Sequence, residues 1–558
     1  MYALEGVADG QKIAYFSMEI GLRSEIPTYA GGLGVLAGDF ILSAADLKVP
    51  LVAVTLINNR GYFKQILDPS GNQIEHTEEW NPAVFMTILT EVVSVKIRNR
   101  EVKIRAWMYI CKSLTGDSVP IIFLDTDVEG NEQEDRKITD FLYGGDLSYR
   151  LKQEIVLGIG GVRMLKALGF KVRKYHMNEG HSSLLALELL RQDGTDSTKV
   201  KDLCIFTTHT PVEAGHDKFD YELVEDLIRD QKDIDILRKF GGEDLFNTSI
   251  FALNLSDYVN GVTKRHSMIS NELFPGYKIR YVTNGVHSYT WTSPYFRTLY
   301  DRYLPGWANE PELLVRVGVI PETELWEAHW SAKKVLIDEV NRRTGVGMDN
   351  ESLTIGFARR MTEYKRAELI FSDLGMLRKV NKRGKIQLIF AGKAHPSDGV
   401  GKQIIKNIFK NIGELTNEIK IVFLENYNMN LAAKMVSGVD IWLDTPIRPF
   451  EASGTSGMKA AHNGVVNFSV LDGWWIEGWI ENITGWAIGP QPQESFSEEE
   501  TRIAEINDIY NKLYYIIVPM YYDRKDDWFQ LIKNSIGMIA YYFNSHRMMR
   551  RYVIRAYL

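Results

Sequence analysis

Short, nearly continuous apolar runs recur along the chain, separated by segments whose apolar residues return every three or four positions. KIAYFSM (12–18), LVAVTLI (51–57), VPIIFLD (119–125), DLCIFTT (202–208) and KIRYVTN (278–284) read as strands of a first half. LTIGFA (353–358), KIQLIFA (385–391), IKIVFLE (419–425) and VDIWLDT (439–445) read as strands of a second. Between them, DLSYRLKQEIVLGIGGVRMLKAL (146–168) and KQIIKNIFKNIGEL (402–415) carry helical periodicity. Strands without polar alternation, interleaved with helices, predict parallel sheets covered on both faces. Two such series in one chain predict an α/β protein with two Rossmann-like domains facing a central cleft. The expected division is 1–284, 285–530 and a helical, aromatic-rich segment 531–558 that crosses back toward the first domain.

Bulk properties narrow the class. A chain of 558 residues is too long for one core. Its net charge of −7 and lack of a basic block argue against a nucleic-acid partner. The two cysteines, Cys111 and Cys204, both lie in apolar runs, which fits reduced core thiols rather than a disulfide framework. The N-terminal MYALEGVADGQK has no signal-peptide pattern, and no apolar run is long enough to span a bilayer. The expectation is a soluble cytoplasmic protein with no membrane partner.

Polar motifs follow the strands. LTIGFA runs into Arg359 and Arg360, KIQLIFA into Gly392 and Lys393, IKIVFLE into Asn426 and Tyr427, and CIFTT into His209. Ligands of open parallel sheets bind at these carboxyl ends. Any one cluster alone reads as a loop ion pair; several together favour a site. YAGGLGVLAG (29–38) offers Gly31, Gly32 and Gly34 before a helix, a place where backbone amides can approach an anion. It is neither a Walker A sequence nor a GxGxxG fingerprint. FARRMTEYKR (357–366) sets four cations at what reads as a helix start, with Arg360, Glu363 and Tyr364 roughly on one side. Helix starts disfavour cations, so an anion is the expected compensation. EASGTSGMKAAHN (451–463) places Lys459 after glycines and hydroxyls. There a lysine can anchor phosphate, form a Schiff base, or sit at a solvated helix start.

Taken in order, YAGGLGVLAG, NEGHS, THTPVEAGHD, VTNGVH, ARRMTEYKR, FLENY and EASGTSGMK resemble the α-glucan (glycogen, starch, maltodextrin) phosphorylases, in their short prokaryotic form. The resemblance runs from Tyr15 to the NSIG and SHRM phrases near residue 548. It implies the two-domain GT-B fold and a retaining, reversible glycosyltransferase. An α-1,4-glucan and inorganic phosphate would give α-D-glucose 1-phosphate and a shorter chain. It also implies pyridoxal 5'-phosphate held covalently by Lys459, its phosphate serving as the acid/base group. Two phosphates about 5 Å apart at an effective dielectric near 20 repel by roughly 3 kcal/mol per pair of unit charges, so cations and amides must hold them.

By motif, the resemblance assigns Arg360 and Lys365 to the substrate phosphate and Arg359 to the cofactor phosphate. The Gly32 amide, Thr455 and Ser456 would also hold phosphate. Glu451, Ser453, Gly454 and Asn284 would bind the transferred glucosyl unit, with His209 facing it. Glu179 and His181 would lie toward the acceptor glucose, while Tyr364 and Tyr427 shape the pocket. Trp474, Trp475, Trp479 and Trp486 read mainly as packing residues.

The chain departs from the larger phosphorylases at Thr362, where they have histidine, at Arg359, where they have lysine, and at Ser456-Gly457, where they have Gly-Asn. It also starts close to the YFSMEI strand, so phosphorylation control and nucleotide activation are not expected. A homodimer is the assembly the resemblance implies. The alternatives are a GT-B nucleotide-sugar glucosyltransferase of the glycogen or starch synthase type, which needs no lysine in a GTSGMK context, and a non-catalytic carbohydrate-binding protein.

Overall fold

The run QKIAYFS forms the strand Gln11–Ser17, and alternate residues of it enter two different cores. Ile13 and Tyr15 join one apolar cluster, Ala14 and Phe16 the other. A strand buried on both faces belongs in the middle of a covered sheet, and that is its position. The computed structural model describes residues 8–192, 194, 196–492, 494 and 496–558. The chain divides into two units, one from Met1–Phe63, Thr77–Thr283 and Met548–Leu558, the other from Lys64–His76 and Asn284–Arg547.

Among the described residues the first unit holds a nine-stranded sheet. Its spatial order is Arg280–Tyr281, Tyr258–Gly261, Cys204–Thr207, Lys171–Asn178, Gln11–Ser17, Leu51–Leu56, Ser118–Asp125, Arg100–Lys112 and Thr87–Ile97. The first seven run parallel; the last two, Arg100–Lys112 and Thr87–Ile97, are added antiparallel. Chain order reverses between Gln11–Ser17 and Lys171–Asn178, so connections leave in opposite directions there and a crevice opens at the carboxyl ends.

The second unit repeats the plan with six parallel strands: Lys420–Leu424, Ile386–Ala391, Leu353–Ala358, Ile441–Asp444, Val466–Val470 and Gly485–Ile488. Their chain order is 3-2-1-4-5-6, reversing between Leu353–Ala358 and Ile441–Asp444. The α/β class predicted from the apolar runs is the class observed. Among the described residues no helix is long and apolar enough to cross a membrane.

Several expectations change. Lys64–Leu67 and Gln73–His76 pair as an antiparallel hairpin counted with the second unit, although the sequence division gave them to the first. Gln65 explains the grouping, since its side chain donates to the Gly392 carbonyl at 2.9 Å and accepts from the Asn426 amide at 2.9 Å. KIRYVTN yields only a two-residue strand. The helix at 146–168 contains a π-helical turn, Val156–Gly160, where glycines admit close neighbours: a Cβ on Gly158 would lie 2.6 Å from the Leu185 nitrogen. Trp474, Trp475 and Trp486 are buried, as a packing role requires.

The return of the chain to the first unit begins at Met548, not at 531. Met548, Met549, Tyr552, Ala556 and Tyr557 complete the core that holds Ile13 and Tyr15. The Tyr557 hydroxyl lies 2.7 Å from His176 Nδ1, and the other ring nitrogen lies 2.8 Å from the Thr207 hydroxyl. Asn260 donates to the Tyr552 hydroxyl at 2.9 Å. Tyr557→Phe therefore strands a buried imidazole nitrogen and is expected to cost about 1–3 kcal/mol. Thermal melts should show a lowered first transition; an unchanged melt would mean that this segment does not support the core.

Candidate active site

At the strand reversal of the second unit, four charged side chains meet. Arg359 follows Leu353–Ala358, and Asp444 ends the adjacent strand. The Arg359 guanidinium pairs with Asp444 through Nη1 and donates to Glu451 Oε2 from Nη2 at 2.7 Å. Lys365 pairs with the same Glu451 oxygen. Lys365, Asp444 and Glu451 are buried and Arg359 is half-buried, so two cations and two carboxylates form a nearly dry cluster of zero net charge. Burial alone would raise the Glu451 pKa, but Lys365 and then Arg359 outweigh it and hold it at about 2. The Glu451 backbone amide donates to Asp472 at 2.9 Å, which fixes the loop.

Arg360 is exposed and has no ion pair among the described residues. The expected helix at FARRMTEYKR is instead a single 3-10 turn, Glu363–Lys365, so the helix-start argument for an anion fails there. Carboxylates rather than an anion at a helix end compensate Arg359 and Lys365. Arg366 has a structural role: its guanidinium donates to the Thr445 and Pro446 carbonyls and pairs with Glu505. Tyr364 packs under Lys365, whose Nζ is 4.3 Å from the ring centre.

Lys459 sits on the short helix Ser456–Ala461 and is 7% exposed. Its Nζ lies 3.9 Å over the Trp291 ring, a face that stabilises cationic charge. The helix is pinned to its sheet from both sides. Trp442 Nε1 donates to the Ser456 hydroxyl at 2.9 Å, and Asn467 donates to the Gly457 carbonyl at 3.0 Å. Asn463 bridges the Trp291 and Lys459 carbonyls at 2.8 and 3.1 Å. The Thr455 hydroxyl does not cap the helix and the residue is half-buried. Gly454, at φ +72°, turns the chain ahead of it, and the Ser453 hydroxyl donates to the Gly454 carbonyl at 3.1 Å. Asn284 is buried, its carbonyl accepting from Arg547 at 2.8 Å. Tyr427 follows Lys420–Leu424 and is half-buried.

The first unit's reversal point collects a different chemistry. Glu19, just past Gln11–Ser17, accepts from the Ala30 and Gly31 amides at 2.7 and 3.2 Å. Packing explains Gly34 and Gly38, since a Cβ there would lie 2.6 Å from Glu19 and 1.8 Å from the Gly21 carbonyl. It does not explain Gly31 and Gly32, where a Cβ would meet nothing within 4 Å and φ is not positive. Open space beside the backbone is what a closely approaching ligand requires.

On the neighbouring strand, Glu179 adopts φ +74°, ψ 165°, a conformation nearly confined to glycine. Its carboxylate holds the strain in place, accepting from the Gly180 amide at 3.1 Å, the His209 amide at 2.7 Å and the Thr210 hydroxyl at 3.0 Å. His209 Nε2 lies 2.7 Å from the Asn178 carbonyl oxygen, and Asn178 in turn donates to Ser17 at 3.1 Å. Burial, with His266, His176 and His181 nearby, lowers the His209 pKa to about 3, so the ring is neutral with its proton on Nε2. His181 lies 3.1 Å from Arg150 Nη2.

The expected residues therefore assemble as two groups, one in each unit. Motif reading missed Asp444, Glu19, Arg150, Asp217 and Trp291. Asp444 had a visible signal, an acid ending an apolar strand; Arg150 and Trp291 had none, because their partners are distant in sequence.

The family described as carbohydrate phosphorylase matches residues 212–485. The chain is 40% identical to a maltodextrin phosphorylase of Thermococcus litoralis, over 98% of this chain and 70% of that one. It is 35% identical to a glycogen phosphorylase of Aquifex aeolicus, over 98% and 86%. It is 32% identical to an uncharacterized protein of Methanocaldococcus jannaschii, over 98% and 99%.

Glu451→Gln should leave a buried cation uncompensated and destabilise the protein by about 3–5 kcal/mol at neutral pH. The folded pKa of about 2 lies below the ordinary 4.5, so the carboxylate's contribution is full above 4.5 and is lost as pH falls toward 2. Paired denaturation curves check this; a wild-type advantage that grows on acidification would contradict the charge balance.

Proposed function

The chain belongs to the carbohydrate phosphorylase family, and we propose from that premise that it cleaves α-1,4-glucans with inorganic phosphate, releasing α-D-glucose 1-phosphate reversibly and with retention. The observation that carries this reading is a buried lysine, Lys459, in the same unit as a charge-balanced cluster with Arg359 and Lys365 at a strand reversal. The nucleotide-sugar transferase reading has less support, since the named relatives are phosphorylases and a diphosphate donor gives no reason for a buried lysine after GTSG.

Pyridoxal 5'-phosphate fits the residues present. A lysine amine held in a buried site is the group that captures an aldehyde covalently. Trp291 walls that amine, and the uncapped Thr455 hydroxyl and the Ser456 amide can receive the phosphate end. When bound there, the cofactor would supply a phosphate group for proton exchange with the substrate phosphate. Arg360, exposed and without an ion pair among the described residues, takes the incoming phosphate together with Lys365, while Arg359 steadies the cofactor phosphate. The Gly32 amide offers a further donor to an anion. Glu451, Ser453, Gly454 and Asn284 orient the transferred glucosyl unit, with His209, a neutral ring held through Nε2 by Asn178, facing it. Glu179 and His181 belong to the acceptor side, and Tyr364 and Tyr427 shape the pocket. Homodimer assembly and a cytoplasmic location accompany this reading.

Borohydride reduction followed by peptide mapping tests it. A pyridoxyl group on Lys459, with glucose 1-phosphate formed from maltodextrin and phosphate, is the expected result. Lys459→Ala should carry no label and release no product. A wild-type protein that stays unlabelled after incubation with pyridoxal 5'-phosphate would defeat the proposal.

A further inference from the structure

The two ring nitrogens of His181 have different surroundings, and the difference fixes what the ring can do. Arg150 Nη2 lies 3.1 Å from Nε2. A guanidinium only donates, so this bond needs the lone pair on Nε2 and leaves the proton of a neutral imidazole on Nδ1. Burial keeps the ring neutral, lowering its pKa to about 4; Arg150 adds to the effect and Asp217 opposes it. The opposite tautomer would aim an Nε2 proton at Asp217, 3.4 Å away, while setting it against the Arg150 N–H groups at 3.1 Å. Nδ1 itself is buried and has no hydrogen-bond partner among the described residues. An orphaned donor of that kind points to a ligand atom.

Arg150 is not free to move. Its Nε donates to Asp217 at 3.0 Å, and its guanidinium covers the Tyr143 ring at 4.5 Å. The Tyr143 hydroxyl donates to Glu19 at 2.9 Å, the carboxylate that holds the Ala30 and Gly31 amides. Glu154, 3.6 Å from Arg150, is fully buried, and burial and then Asp217 push its pKa far up; Asp217, at 3.0 Å, is the nearer carboxylate to Arg150. The glycine turn, Tyr143, Arg150 and His181 thus form one linked chain of contacts inside the first unit.

We propose that Arg150, held by Asp217, fixes His181 as the Nδ1–H tautomer and so makes it a hydrogen-bond donor to a hydroxyl oxygen of the bound glucan. Arg150 and Asp217 are positioning residues, and His181 is the contact. The inference rests on the proposed function, which puts glucan on this side.

Asparagine and glutamine separate the two nitrogens, because the asparagine amide overlays Nδ1 and the glutamine amide overlays Nε2. His181→Gln is expected to lose at least about tenfold more kcat/KM for glucan than His181→Asn, roughly one hydrogen bond, with the change in the KM for glucan and not for phosphate. Glutamine equal to or better than asparagine would overturn the proposal. Nitrogen-15 spectra of histidine-labelled wild-type protein read the tautomer without turnover, with His181→Asn assigning the signal. A protonated Nδ1 that loses its preference in Arg150→Met supports the proposal; a protonated Nε2 overturns it. Failure of the functional reading looks different: wild-type protein would release no glucose 1-phosphate whatever the tautomer.

Discussion

A charge removed from water must be met by an opposite charge or by hydrogen bonds, and the second unit is arranged around that requirement. Parallel strands bring Arg359 and Asp444 to the same end of the sheet, and the loop after Asp444 returns Glu451 to them. Lys365 completes a cluster in which one carboxylate oxygen serves two cations. Backbone features that look idiosyncratic then have a cause. The left-handed Arg366, bound to two carbonyls, and the Glu451 amide, tied to Asp472, hold the loops that carry the charges. The same balance bears on phosphate chemistry: an arriving anion meets cations that already have partners, whereas Arg360 has no ion pair among the described residues.

The first unit solves the same problem of burial by the opposite means. His176, His181 and His209 are kept neutral chiefly by burial, and neighbours then fix the tautomers of His181 and His209. Asn178 accepts from His209, while Arg150 can only donate to His181. One unit therefore presents ionised groups, the other neutral imidazoles of fixed orientation. Both sets sit at the point where strand order reverses, so two different chemistries arise from one topological device.

Much of this was legible in the sequence, and the limits have physical causes. The strands at 353–358 and 386–391 are wholly apolar because both faces are covered, so they stood out without alternation. YAGGLGVLAG, NEGHS and EASGTSGMK stood out because the chain turns sharply there or leaves its backbone open. The FARRMTEYKR stretch misled: local periodicity suggested a helix, but bonds from Arg366 to Thr445 and Pro446, some eighty residues on, set a single turn. The Lys64–His76 hairpin was assigned by continuity to the wrong unit, since Gln65 and its partners are more than three hundred residues apart. Asp217 and Arg150 were invisible for the same reason. No window of sequence shows that a carboxylate and a guanidinium will share one histidine.

The tail at Met548–Leu558 has a consequence for how the protein is made. Synthesis proceeds from the N-terminus, and domains generally fold as units as they emerge. The first unit cannot do so here, because Tyr552 and Tyr557 belong to its core and His176 has no partner for Nδ1 until Tyr557 arrives. The Asn284–Arg547 part of the second unit is translated in the interval. Until Met548–Leu558 is made, one face of the first sheet is unfinished, so damage to the codons for this short segment becomes a folding lesion in the unit encoded mostly before it.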